Sequence, residues 1–520
     1  NRQTLAKAGA VPKLVFQLES GSAKAMKMAA GALILIALES RYTSVVTSEL
    51  VKLLGSKDEG VRQRASDALR ALSNGGAKGR SSERPSAPRG EKQLQGLVNL
   101  LKEGLRDDRV EAQEYALRSL ATVTEAESRQ ILVKAGCISP IVESLQSLKL
   151  SQRAEEHASI VLSGLALEEE DAKAIQAVEG VEPLVRLLSK GNMEAKRYSA
   201  MALAMLARHA DAGNEISEAG GVSALVVWLA DGSVGPPEVA AYALSEIALG
   251  NADTQTQIVE EGAVAQLVEK IVLWIDEKEK AGAVVSRTGA LAVAHKLATA
   301  AAGTLATLAM DSAVNQTTIA EEGAIMPLLE LVKDAQTTSH EHAAKALWHL
   351  GQNEENQSAI PKAGGIQPLV ALLTIGTEKT QQYAAAALET LSYKHIENQD
   401  ALLAADAIDP LVNLLGSETK ETQEHAKGAL LQLASERAGM IPVVKNLVRV
   451  LDDRNPTAQM KAAEALAVLT KRSLENRKAI SAAKAVVPLS QLLGDGMEVQ
   501  DNTPQERAAT VLADLARLGE

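Results

Sequence analysis

Hydrophobic positions along this chain fall into short helical blocks that recur about every 42 residues, the self-similarity expected of an array of small stacked units. The clearest blocks open on a Gly-apolar turn followed by proline: Gly136 with Pro140, Gly180 with Pro183, Gly323 with Pro327, and Gly365 with Pro368. Degenerate copies stand at Gly221, at Gly262, at Asp406 with Pro410, and at Val487 with Pro488. Pro140, Pro183, Ala224 and Gln266 are equivalent positions at intervals of 43, 41 and 42, and Pro327, Pro368 and Pro410 continue at 41 and 42.

A second signature, Ala-Leu-x-x-(Leu/Ile)-(Ala/Ser), lies about 20 residues beyond the turn, and its i, i+1, i+4 spacing marks one face of a helix. It occurs at Ala32-Leu33, Ala68-Leu69, Ala116-Leu117, Ala202-Leu203, Ala243-Leu244, Ala346-Leu347, Ala387-Leu388, Ala429-Leu430 and Ala465-Leu466. Looser versions at Val161-Leu162, Thr304-Leu305 and Val511-Leu512 bring the total to twelve. Each unit therefore reads as a short helix, a sharp turn, a second apolar helix such as Pro368-Leu369-Val370-Ala371-Leu372-Leu373, a polar loop, and a longer third helix. Glycine supplies the turn, and proline fits a first helical turn, where its missing donor costs nothing. Asn214, Asn315, Asn356, Asn398 and Asn476 stand where helix caps are expected. One unit cannot bury its own apolar face, so the units must stack.

The Ala-Gly-Gly-Ile-x-Pro-Leu-Val of residues 363 to 370, joined to Ala387-Leu388-x-x-Leu391-Ser392, resembles the armadillo repeat of β-catenin, importin-α and the yeast vacuolar armadillo protein. The resemblance extends over nearly the whole chain. It implies an all-α fold, a right-handed superhelical armadillo-repeat solenoid whose third helices line a concave groove. A HEAT-like α-solenoid is the alternative of similar period, but HEAT repeats generally lack the glycine turn and the separate short first helix. The expected organisation is a single array, residues 1–520, of about twelve repeats.

Two segments break the period. Residues 74–93 are rich in Gly, Ser, Pro and Arg, the composition of a disordered insertion loop. Gln266 to Pro327 spans 61 residues, and the excess lies at 274–288, in the repeat before Gly323, where Asp276-Glu277-Lys278-Glu279-Lys280 forms a charge run. Lengthened second and third helices, or a protruding hairpin, would absorb it, and a tolerated surface insertion is its ordinary meaning.

Composition narrows the function. Aromatics are only 2% of the chain against 46% hydrophobic residues, which suits close helix packing in small layers and disfavours strands. The charge balance of 54 basic against 66 acidic residues, net −12, disfavours attachment to nucleic acid or anionic lipid over the whole surface. No apolar run approaches the roughly 20 residues needed to cross a bilayer, so membrane insertion is not expected. Cys137 is the single cysteine, which excludes an intrachain disulfide and a thiolate metal cage and points to a reducing compartment, cytoplasmic or nuclear. The absence of an initiator methionine, and an opening pattern that elsewhere ends a repeat, point to a piece of a longer protein. Phosphate-loop, Gly-x-Ser-x-Gly and His-Glu-x-x-His motifs are missing, so neither catalysis nor a cofactor is expected.

The register locates candidate contact residues. Counted from the Ala of Ala-Leu, positions −4, −1 and +3 share one face of the third helix. The resemblance to importin-α implies Trp at −1 and Asn at +3, but here −1 includes Tyr115, Met201, Tyr242, Lys345 and Ala386, and +3 includes Ser119, Glu246, His349, Thr390 and Gln432. Both ladders are absent, which argues against nuclear-signal recognition. Position −4 carries flat, hydrogen-bonding side chains in five repeats: His157, Tyr198, His342, Tyr383 and His425. Such a row suits holding an extended backbone, although amphipathic residues covering the next repeat would produce the same pattern. His342, Lys345, Trp348 and His349 form the densest patch, with Trp348 one step beyond the expected face. Tyr242, Thr390 and Gln432 complete the candidate set. His340, His342 and His349 lack a carboxylate or thiolate to complete a metal site, and Cys137, without an adjacent His, reads as a buried thiol.

The expected function is that of a noncatalytic scaffold or adaptor binding an extended peptide or partner helix in the groove. A structural subunit of a larger cytoskeletal or axonemal assembly is the alternative, and a nuclear transport adaptor ranks third. Oligomeric state is not legible.

Overall fold

A computed structural model describes residues 2–37, scattered positions between 42 and 58, 59–73, 91–231, 235–281, 289–494 apart from 335, 436 and 454, and 504–519. The described residues contain helices and no strand. They fall into two compact units, Asn1–Ile247 and Ala248–Glu520. Each unit by itself is a stack of repeated groups of helices.

All twelve Ala-Leu signatures lie within helices, from Ala23–Ala37 to Pro504–Ala516. In the second unit the third helices His340–Leu350, Glu378–Ser392, Lys420–Leu433 and Pro456–Arg472 pack successively side by side. The Ala and Leu of each signature are sealed: Ala346, Leu347, Ala387, Leu388, Ala429, Leu430, Ala465 and Leu466 are all fully buried. Alanine's small side chain lets neighbouring backbones approach while leucine fills the layer between them.

The turn between first and second helices is built differently from the sequence reading. The left-handed residue is Gly136, Gly262, Gly323 or Asp406 in some repeats, but Glu179, Gly220, Gly364 and Lys484 in others. Gly180 and Gly365 themselves have negative φ and serve close approach. A Cβ at Gly365 would stand 2.7 Å from Ile360 Cγ2 and 2.9 Å from the Ile360 carbonyl oxygen. Gly365→Ala must displace backbone, and is expected to destabilise the second unit by about 1–3 kcal/mol, read as a lower urea midpoint.

The five asparagines expected as caps are not caps. The capping side chains sit three residues earlier, at Ser312, Asn353 and Ser473, and accept from the backbone N–H of Asn315, Asn356 and Asn476. Those asparagines are buried and turn inward. Asn315, Asn356, Asn398 and Asn476 donate to Leu308, Leu350, Leu391 and Leu469 carbonyls at 3.0, 3.0, 2.7 and 3.1 Å. Each satisfies an orphan carbonyl at the end of the preceding third helix, a need every helix C-terminus creates. Asn214, by contrast, is exposed on the short helix Gly213–Glu218.

Around the period break, the second helix runs Ala263–Ala281 (19 residues) and the third Gly289–Ala309 (21 residues), while 282–288 lie outside the described residues. Trp274 is only 1% exposed and meets His295 edge-on at 5.6 Å. Lys278 covers the Trp274 ring and donates to Asp334 at 2.8 Å, which ties the long helix to the following repeat. Contrary to the expectation that no apolar run is long enough, Gly289–Ala309 is by length and composition apolar enough to cross a bilayer, and 67% of its most apolar window is buried within the protein. Of the segment 74–93, residues 74–90 lie outside the described residues, and 91–93 are not loop but the first turn of helix Glu91–Arg106.

Candidate functional site: an aromatic face on three successive third helices

Trp348, Tyr383 and His425 come from three different repeats and form one cluster. Trp348 and Tyr383 stack with centroids 5.9 Å apart at 27°, and His425 meets Trp348 edge-on at 5.6 Å. All three side chains are partly exposed. Trp348, placed one step off the face by the register, is its centre: a helix side chain covers the turn before its own Cα, so the indole reaches the row occupied by position −4. Offset stacked and edge-on pairs are the preferred aromatic geometries, which favours this arrangement of the three rings.

Two residues missed in the sequence shape this face. Glu389 accepts from His425 Nδ1 at 2.8 Å and orients the imidazole, so that Nε2 is the nitrogen left for other contacts. Gly428 makes that possible, because a Cβ there would stand 1.7 Å from Glu389 Oε1. A glycine inside a helix costs stability, so Gly428 within Lys420–Leu433 was the available signal. Beyond His425 the surface becomes charged: Lys427 and Lys461 each pair with Glu424 and Glu464. Lys427 is held above the usual lysine range by those carboxylates, although burial opposes the shift as the largest single influence.

The structure separates the other candidates. His342 is half-buried, pushed below the usual imidazole range by burial, and packs toward Gly303, whose Cβ would meet His342 Nδ1 at 3.1 Å. Lys345 is partly exposed on the same helix. Thr390 turns its hydroxyl back to donate to the Ala386 carbonyl at 2.8 Å, and Gln432 remains partly exposed on its helix. His349 departs from the reading: it is 4% exposed, stacks beneath Trp348 at 4.5 Å, and has no hydrogen-bond partner on either ring nitrogen. Burial first, and then Lys345, push it down to about 4.

In the first unit, His157 is half-buried and pushed below its usual range by burial. The Arg197 guanidinium lies 4.4 Å over the Tyr198 ring and pairs with Glu194. Tyr242 is 39% exposed and sits by the Arg208–Glu246 pair (3.2 Å), with burial and then Glu246 raising its hydroxyl above the usual range. Cys137 is fully buried and its thiol is pushed up to about 12, chiefly by burial. Among the described residues no group of three His, Cys, Asp or Glu side chains is placed to hold a metal ion.

The comparisons with known proteins agree with this architecture. Residues 353–393 match the family model described as armadillo/beta-catenin-like repeat. An engineered protein solved by a structural genomics consortium is similar at 29% identity and TM-score 0.66, covering 82% of this chain and 99% of its own. A structure from work on a phosphorylation switch controlling the interaction between cadherin and beta-catenin is similar at TM-score 0.65 and 16% identity, covering 97% of this chain and 100% of its own. No curated protein sequence matches. Residues 353–393 thus form an armadillo repeat, and the fold is that of an armadillo-like all-α solenoid.

Proposed function

We propose that this chain is a protein-binding scaffold that takes an extended peptide or partner helix on the third-helix face of its second unit. The observation that carries the reading is the Trp348–Tyr383–His425 cluster, three partly exposed rings from three repeats in a chain that otherwise builds its layers from Leu and Ala. Aromatic residues supply much of the binding energy in protein interfaces when they sit centrally in a polar surround, and here the surround is Glu389, Lys427 and Glu464. The reading is noncatalytic and needs no cofactor. The single buried cysteine suits a reducing compartment, cytosol or nucleus, as the place where this binding occurs.

A structural role in a larger assembly is the second reading. It is favoured by Val272 and Leu273, 39% and 42% exposed on the long second helix Ala263–Ala281. The test is affinity purification with the wild type and with a Trp348→Ala, Tyr383→Ala, His425→Ala variant, followed by affinity measurement with the recovered partner. Binding is expected to weaken by more than roughly 100-fold, since each anchor of this kind contributes on the order of 2 kcal/mol, with helix content unchanged. Undiminished binding by the variant would exclude the aromatic face.

A further inference from the structure

We propose that His349 is a recognition residue beneath Trp348, and that it receives a neutral planar amide, the side-chain carboxamide of a partner's glutamine or asparagine. The inference rests on the aromatic face being the docking surface. Buried polar groups in folded proteins are nearly always hydrogen-bonded. His349 is the described histidine for which both ring nitrogens are buried and unpaired; His340, also buried, engages the Asp334 carbonyl through Nε2 at 2.8 Å. The unpaired ring carries a desolvation cost that a bound hydrogen-bonding group would relieve.

Access runs through Trp348. Trp228 and Trp274 are 2% and 1% exposed, whereas Trp348 is partly exposed and lies directly against the His349 ring. Docking on this route requires the indole to rotate, which would open the imidazole to the Tyr383 and His425 side of the cluster, with which Trp348 is in contact. A neutral imidazole presents one N–H donor and one bare acceptor nitrogen. A carboxamide offers both an acceptor and donors, so it pairs with whichever nitrogen it reaches. A carboxylate offers acceptors alone and an ammonium donors alone, and burying either charge beside Trp348 is costly.

The experiment compares binding of capped glutamine (N-acetyl-glutamine N-methylamide) with its methionine and glutamate counterparts, by saturation-transfer NMR on the full chain and on His349→Phe. Wild type is expected to prefer glutamine over methionine by roughly tenfold, one buried hydrogen bond's worth, and His349→Phe to lose that preference while its melting temperature stays level or rises. Equal binding of glutamine and methionine to wild type would overturn the proposal without any variant. So would a glutamate preference, a glutamine preference retained by His349→Phe, or a fall in that variant's melting temperature, which would show a partner for the ring inside the protein. If the triple aromatic variant loses its partner while glutamine and methionine bind alike, only this inference fails. If the glutamine preference holds and the triple variant still binds, the docking surface is the part that fails.

Discussion

Asn398→Ala is expected to destabilise the second unit by about 3 kcal/mol, since it strands one buried and one partly buried backbone carbonyl at roughly 1–3 kcal/mol each. Asn398 Nδ2 donates to Leu391 O at 2.7 Å and to Gln357 O at 2.8 Å. Leu391 is at the end of Glu378–Ser392, where helical carbonyls lack partners. Gln357 is the more informative acceptor. Its carbonyl would ordinarily bond the N–H four residues on, but that residue is Pro361, inside helix Glu354–Lys362, and proline has no N–H. Asn398 of the following repeat supplies the missing donor. Asn356 makes the corresponding bonds to Leu350 O and Gln316 O, but its own helix offers Gln316 the N–H of Ala320. Asn356→Ala is therefore expected to cost less than Asn398→Ala in the same urea titration, and Pro361→Ala to recover part of the Asn398→Ala loss. Equal costs, with no recovery, would refute the role assigned to Asn398.

Acidification from pH 7 toward 4 is expected to remove up to about 3 kcal/mol from the second unit through His349, at about 1.4 kcal/mol per pH unit across the shift. The sign follows from the direction: His349 is depressed from 6.5 to about 4, so between those values the unfolded chain binds a proton that the folded chain refuses. Its contribution is fully present above pH 6.5 and is lost as pH falls through that window. His342 and His295 are depressed by burial as well and act in the same direction. Comparing urea midpoints of wild type and His349→Phe at several pH values isolates the effect, because carboxylate titration is common to both. The variant is expected to lose less stability toward pH 4, and parallel curves would contradict the assignment.

Much of the fold was legible because a buried Ala-Leu pair at helical spacing has few alternatives once it recurs at a fixed interval. The details that failed share a cause. Gly364 and Gly365 are adjacent, and which of them takes positive φ depends on how the chain leaves the first helix. Asn398 is expected from the sequence as a helix cap, but its amide donates to carbonyls on two other helices, which spacing within one repeat does not reveal. At the candidate site the row His342, Tyr383, His425 was visible in the register. Trp348 and His349 stood beside it in the sequence, but their arrangement did not, with the indole reaching the face from the next position and His349 turning under it; Glu389, which depends on the room Gly428 leaves, carried no register signal.

The account turns on a partner docking against the third helices of the second unit. A photo-crosslinking residue placed at Tyr383, and in a separate protein at Ile375, tests this directly. Ile375 ends the second helix Ile366–Ile375 of the same repeat and is 64% exposed, so both sites are open to a partner. Efficient crosslinking to the recovered partner from position 383 and little from 375 is the expected result. Crosslinking from 375 with none from 383 would place the partner on the second-helix surface and contradict the account.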